Sequence, residues 1–301
     1  MILVTGASGL LGANFVSVAR KHDRHLVALT HRHSLPDSEV QSVTVDLTDQ
    51  QEVKKLIHDL RPTWIVHCAA LTNVDLCEEQ PEIATLVNAT ASRNLAKEAK
   101  SVDAGFVYIS TDSVFDGEKG QYSEDDHPNP INVYGRSKLA GEMAVIEELE
   151  ESLVIRTNIY GWNVQKKLSL AEWMLTKLEA GQPLPAFEDV VFSPILVNDL
   201  SEILISMMDQ QLKGIYHVAG SESCSKYHFA LTLADVFGLD GGVIQRTTIA
   251  DAGLKARRPR KTSLSTVKAS EALGKPMPDL LSGLQHFKSL KGSLNPAKAE
   301  V

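Results

Sequence analysis

An apolar run, Ile2 to Val4, leads straight into TGASGLLGANF, in which Gly6, Gly9 and Gly12 stand three residues apart. A strand that empties into such a loop and reopens as a helix constrains the fold more than any other feature of this chain. Glycine lets the backbone turn tightly and come close to a pyrophosphate, and the helix start offers unpaired N–H groups and a partial positive charge. The same spacing in isolation also describes a tight turn that holds nothing, so the pattern of the next hundred residues decides. Strand-like runs recur at 2–6, 25–30, 42–47, 64–70 and 105–111, with helix-like segments near 10–22, 49–60 and 82–100 between them. This alternation predicts an α/β protein: a Rossmann-type, doubly wound parallel sheet covered by helices on both faces.

A further helix over 132–150 and a strand over 152–158 continue the pattern. After residue 160 the rhythm breaks: a helix over 168–181, prolines at 183, 185 and 194, a helix near 198–210 and a strand over 214–220. Residues 1–160 are therefore read as the dinucleotide-binding domain, with 190–220 returning to it. Residues 161–189 and 221–290 are read as a small mixed substrate lobe, and 291–301 as a polar, fraying tail.

The 301 residues suffice for a sizeable core. A formal net charge of −8 argues against a general nucleic-acid binder. No apolar run is long enough to span a membrane, and the N-terminus lacks the features of a signal peptide. Cys68, Cys77 and Cys224 are odd in number and fit no metal spacing, and the ten histidines are scattered, so no metal is expected. The simplest reading is a reduced, cytoplasmic protein. A homodimer is left open.

The second cofactor phosphate also leaves a trace. Where a site for NAD usually carries an acid after the second strand, this chain reads Thr30-His31-Arg32-His33. His31 and Arg32 suit a 2′-phosphate, which a carboxylate would repel, so NADP is expected rather than NAD. Asp46 and Leu47, after the third strand, are candidates for the adenine end, with Asp46 either accepting from the adenine amino group or capping the next helix.

In INVYGRSKLAGE, Tyr134 and Lys138 are one helical turn apart and leave the same face. A free phenol titrates near 10. An ammonium ~6 Å away, at an effective dielectric of about 20, favours the phenolate by roughly 2–3 kcal/mol, or about 2 pKa units. The pair then reads as a proton-transfer couple, with Lys138 also able to hold a nicotinamide ribose. Thr111 ends the fifth strand, at the sheet edge where ligands gather, and its hydroxyl suits polarisation of a carbonyl beside the phenol. Alone, Tyr134 would be a half-buried helix aromatic and Lys138 a surface charge; together with the glycine loop they read as a site.

The set Gly6-x-x-Gly9-x-x-Gly12, Thr111 and Tyr134-x-x-x-Lys138 resembles the extended short-chain dehydrogenase/reductases. The stretches 68–90, 110–142 and 256–265 are similar to the dTDP-4-dehydrorhamnose reductase-like branch of sugar-nucleotide reductases. The resemblance implies NADPH-dependent reduction of a 4-keto nucleotide sugar, with Thr111, Tyr134 and Lys138 catalytic. It places Gly6, Ser8, Gly9, Leu10, Leu11, Gly12, Cys68, Ala69 and Ala70 along the cofactor. Thr72, Val74, Asp75, Ser113, Asn158 and Arg258 fall on the substrate side. The chain departs from that branch twice: Ser113 replaces a tyrosine, and Arg156-Thr157-Asn158-Ile159-Tyr160-Gly161 follows the form of sugar-nucleotide epimerases and dehydratases. An NAD-dependent epimerase, and a dinucleotide-binding regulatory subunit like the β subunit of methionine adenosyltransferase, are the alternatives. Trp162 either restores a ring to the sugar site or belongs to the core. Arg257, Arg258, Arg260 and Lys261 either bind a nucleotide diphosphate or form a solvated face. Glu124, Asp125 and Asp126 cap a helix or face solvent.

Overall fold

The computed structural model describes residues 1–35, 37 and 39–292; the tail expected over 291–301 falls, beyond 292, outside the described residues. The strands β1 (Ile2–Thr5), β2 (Leu26–Thr30), β3 (Gln41–Thr44), β4 (Trp64–His67), β5 (Gly105–Thr111) and β6 (Leu153–Thr157) are followed by the short pieces β7 (Ile159–Tyr160), β8 (Leu184–Phe187), β9 (Val191–Phe192) and β10 (Ile195–Leu196). Then come β11 (Gly214–His217), β12 (Cys224–Ser225) and β13 (Ile244–Thr247). The helices in chain order are α1 (Leu10–Lys21), α2 (Gln50–Leu60), α3 (Val74–Glu79), α4 (Pro81–Thr85), α5 (Ala91–Ser101), α6 (Val133–Glu148), α7 (Leu170–Glu179), α8 (Val197–Asp209), α9 (Lys226–Phe237), α10 (Val267–Leu273) and α11 (Leu280–Ser289).

Seven strands form one sheet in the order β11-β6-β5-β4-β1-β2-β3. Every pairing in it is parallel. The chain starts in the middle and winds outward both ways, which leaves a crevice beyond the carboxyl ends of β1 and β4, where the strand order reverses. The parallel, doubly wound architecture expected from the sequence is the one observed. Central strands read as continuous apolar runs because helices bury both faces: ILVT in β1 is buried throughout, whereas the edge strand β3 is mostly exposed. One face carries α1 and α8, whose apolar side merges with α7, α9 and α11 into the larger core; the other packs α2, α5 and α6 around Ile57, Leu95 and Phe106.

The small elements build a second layer over the carboxyl edge of the sheet. Strand β12 pairs antiparallel with β9, β13 pairs with β8, and β10 pairs with β7. Among the described residues no helix is long and apolar enough to cross a membrane.

Local boundaries differ from expectation in several places; the strands expected over 64–70 and 214–220, for example, end at His67 and His217. Strand β3 covers only Gln41–Thr44 rather than 42–47, because Asp46 turns the chain by accepting hydrogen bonds from the Thr48 N–H (2.9 Å) and hydroxyl (2.8 Å). The helix expected over 82–100 is interrupted by a π-turn, Leu86–Thr90, between α4 and α5. Such turns concentrate at functional sites. A short helix, α3, with Asn73 as its N-cap, lies between the expected strand at 64–70 and the expected helix near 82–100, where no element was expected.

Candidate active site

The glycine loop lies where β1 meets α1. Gly6 has φ +61°, a conformation that side chains rarely adopt, and a Cβ there would sit 2.7 Å from the Ala69 amide nitrogen. A Cβ on Gly12 would run into the Gly6 carbonyl oxygen. Loop and β4 end are thus pressed together with no room for side chains. Gly9 is the N-cap of α1 and brings no side-chain acceptor, and the first turn carries no acid. Its N–H groups and the positive end of the helix therefore point at the crevice uncompensated. This cradle fits the pyrophosphate of a dinucleotide. Ser8, Leu10 and Leu11 line the same turn; the Ser8 carbonyl accepts from the Gln165 side chain (2.7 Å).

The loop is braced from below by a buried polar chain. The Ala69 N–H donates to the Thr5 hydroxyl oxygen (3.2 Å), whose own proton goes to His67 Nδ1 (2.7 Å). His67 Nε2 then donates to Ser92 Oγ (2.9 Å), which donates to the Asn88 carbonyl (2.9 Å). This pattern needs a neutral imidazole, and burial with the nearby Lys138 charge pushes His67 down to about 3. Asn88, in the π-turn, clasps Leu71 by both backbone groups (2.7 and 3.1 Å) and donates to Ser137 Oγ (2.9 Å); Ser137 in turn donates to the Tyr134 carbonyl (2.8 Å). Cys68, Ala69 and Ala70, half-buried at the end of β4, therefore share one rigid frame with α6. Burial pushes the Cys68 thiol up to about 12, so it stays protonated.

Helix α6 starts at an Asn132 N-cap that accepts from the Gly135 N–H (2.8 Å). This fixes Tyr134, half-buried, on the first turn, and Lys138, 2% exposed, one turn further along. The Thr111 hydroxyl at the end of β5 lies beside the Tyr134 phenol and pulls its titration down; it donates to Asp112 Oδ1 (3.2 Å) and receives the Ser113 N–H (3.2 Å). Structure and expectation part over the electrostatics. Burial pushes the phenol up to about 12 and outweighs the pull of the Thr111 hydroxyl. Burial also presses the Lys138 amine down to about 7, with Glu142 as the leading opposing charge. Spacing alone sets a solvated ammonium beside a phenol. In the fold the ammonium is itself desolvated and lies 4.0 Å from the centre of the Tyr108 ring. Among the described residues no carboxylate or carbonyl accepts a hydrogen bond from it.

A hub that sequence reasoning did not single out is Asp112, 2% exposed. Its Oδ2 accepts from Asn158 Nδ2 (2.7 Å) and Thr262 Oγ1 (2.6 Å), and its Oδ1 from Thr111 Oγ1 (3.2 Å) and Ser113 Oγ (3.3 Å). Thr111, Ser113 and Asn158 thus converge on Asp112, whereas the other residues expected on the substrate side do not contact it. Thr72 is exposed and Val74 half-buried. Asp75 accepts from the Ala256 N–H (3.0 Å) and from Arg258 (3.0 Å), so the Arg258 fork is engaged within the protein. Arg257 is exposed and Arg260 lies 3.7 Å from Asp189; the run borders a cleft of about 510 Å³.

His31 and Arg32, expected at the adenine end of the cofactor, are exposed just past β2, and His31 lies 3.9 Å from Asp46. The N-cap of α2 is Asp49, not Asp46; the Asp46 carboxyl is held below its usual range chiefly by the Thr48 N–H. Leu47 is half-buried beside it. Trp162 belongs to the core: its ring stacks on Phe287 at 4.3 Å and its indole N–H donates to the Phe287 carbonyl (2.8 Å). The acidic turn is structural, with Asp126 accepting from Ser123 N–H (2.7 Å) and Glu124 from His217 N–H (2.7 Å).

Comparison with known proteins agrees with this geometry. The family model described as RmlD substrate binding domain matches residues 1–290. A probable low-salt glycan biosynthesis reductase of Haloferax volcanii is 34% identical over 281 residues, covering 92% of this chain and 93% of the relative. Methionine adenosyltransferase 2 subunit beta of Xenopus tropicalis is 36% identical over 273 residues, covering 85% and 77%. Among solved structures, the dTDP-4-dehydrorhamnose reductase of Bacillus anthracis in complex with NADP superposes with a TM-score of 0.83 at 28% identity, covering 96% of this chain and 98% of that one.

Proposed function

The chain belongs to the RmlD substrate binding domain family, and from that membership we propose that it is an NADPH-dependent reductase of a 4-keto nucleotide sugar, with residues 1–160 and the 190–220 segment holding the cofactor and the remaining lobe holding the sugar nucleotide. The observation that supports the reading is Lys138: a lysine 2% exposed whose ammonium has no acceptor among the described residues, one turn from a phenol that lies beside the Thr111 hydroxyl. Its three N–H protons are therefore free to meet a ligand at the mouth of the crevice. The NADP complex of the Bacillus anthracis relative supports the choice of cofactor.

NADPH, when bound, supplies the hydride to the ketone carbon. The chain's residues do the rest. The glycine cradle and the α1 start hold the pyrophosphate, and His31 and Arg32 receive the 2′-phosphate. Lys138 donates to the nicotinamide ribose hydroxyls. Thr111 donates a hydrogen bond to the ketone oxygen as charge develops on it, and Tyr134 delivers its proton there. A phenol pushed up to about 12 is fully protonated at neutral pH, the state a reductase needs before the hydride arrives. The phenolate left behind is stabilised by the positive charge of Lys138, the single Thr111 proton being engaged at the substrate oxygen. Asp112 fixes the Asn158 side chain and holds the Thr111 hydroxyl proton until the ketone oxygen takes it.

The test is NADPH oxidation, followed by absorbance, with dTDP-4-dehydrorhamnose and other 4-keto nucleotide sugars. Turnover that vanishes in Tyr134→Phe supports the reading. The identity to methionine adenosyltransferase 2 subunit beta favours a second one, a dinucleotide-binding subunit of another enzyme. NADPH binding without turnover of any sugar would decide for it.

A further inference from the structure

Lys226 opens α9, on the layer that faces the carboxyl edge of the sheet. Its backbone N–H donates to the Val190 carbonyl (3.0 Å), and the strand before it, β12, pairs with β9. In β9 the Val191 N–H donates to the Arg260 carbonyl (2.6 Å) and its carbonyl receives the Thr262 N–H (2.9 Å). Thr262 then donates its hydroxyl to Asp112. Three backbone steps therefore tie the start of α9 to the strand end that carries Thr111.

The side chain is half-buried, with its ammonium 3.2 Å from the centre of the Phe192 ring. A ring face attracts the cation but accepts none of its three N–H protons conventionally. No acceptor for it exists among the described residues. Asp112 is the charge that most favours the ammonium, yet both Asp112 oxygens are taken by Asn158, Thr262, Thr111 and Ser113. Burial has already brought the amine down to about 8. Lys226 thus adds a second cation with spare donors to the site that already holds Lys138. Its other contributors, Ser113 and Asn158, offer no ring surface on which a sugar face could stack.

We propose that Lys226 is a specificity-determining residue, donating hydrogen bonds to oxygen atoms of the sugar ring of the nucleotide sugar. The inference rests on the nucleotide-sugar reading above and deepens it: sugar recognition here is polar, through an ammonium braced on Phe192, and separate from recognition of the nucleotide.

The experiment compares two probes on the full chain in the presence of NADP: dTDP-rhamnose, which carries the sugar, and dTDP, which does not, both by isothermal titration calorimetry. Lys226→Met keeps the length and the contact with Phe192 but removes the donors. It is expected to weaken dTDP-rhamnose by about tenfold or more, as loss of a charged hydrogen bond does, and to leave dTDP unchanged. Lys226→Arg is expected to recover part of the loss. Unchanged dTDP-rhamnose affinity in Lys226→Met, equal weakening of both probes, or failure of the unsubstituted protein to bind dTDP-rhamnose would each overturn the inference. The reductase reading fails separately. If dTDP-rhamnose binds in a Lys226-dependent way while no 4-keto sugar oxidises NADPH, the chemistry is wrong and Lys226 keeps its role. If turnover is robust and Lys226→Met binds dTDP-rhamnose normally, only Lys226 is misassigned.

Discussion

The Lys138 ammonium sits one helical turn from the Glu142 carboxylate on α6, and Glu142 is not its partner. Glu142 is held by Arg156, with N–O distances of 3.0 Å from Nε and 2.7 Å from Nη2, and by the Ser110 hydroxyl. The helix thus buries a neutralised pair, 1% and 3% exposed at its side chains, directly beside an unneutralised cation. Glu142 favours the ammonium without quenching it.

That arrangement gives Lys138 a measurable signature. Its amine is lowered from 10.5 to about 7 in the folded chain. Between those values the unfolded chain binds more protons than the folded one, so the Lys138 contribution makes stability rise with pH from about 7 upward. Below about 7 folding forces a charged amine into the interior. Lys138→Met should melt higher than the unsubstituted protein near pH 6, by roughly several degrees, and the gap should close towards pH 10. NADPH binding should weaken in the same variant. Thermal melts across that range check both the sign and the closing gap.

The neighbouring pair should behave in the opposite sense. Arg156→Leu leaves a buried carboxylate without its cation and should cost about 3–5 kcal/mol in urea unfolding. Combining it with Glu142→Leu should recover much of that loss, because the second change removes the stranded charge.

Tyr134→Phe removes the proton donor while retaining the ring and its packing. The turnover number should fall by about 10²–10⁴-fold, with NADPH affinity held within about threefold. Stopped-flow absorbance at saturating NADPH separates the two. A variant that kept its turnover would remove the phenol from the mechanism.

Gly12→Ala places a methyl group against the Gly6 carbonyl oxygen. The loop must shift out of the geometry that meets the pyrophosphate. NADPH fluorescence titration should show a loss of affinity of roughly tenfold or more, the scale of one lost charged hydrogen bond, while far-UV circular dichroism stays unchanged.

Much of this protein is legible along the chain. Alternating apolar runs and the glycine spacing determine the parallel sheet, its crevice and the position of the phosphate cradle, because period, turn geometry and helix polarity are local properties. The Tyr134–Lys138 spacing is local too. What the sequence could not determine is how deeply those side chains are buried. The sign of the Tyr134 shift depends on desolvation by groups brought in from β5, the π-turn and the β4 end, none of them near it in sequence. Asp112 and Lys226 lack any motif, and they gain meaning only where residues near 112, 158, 226 and 262 meet over one edge of the sheet. Local spacing sets which groups are available; packing sets the dielectric around them, and with it their charge and their partners.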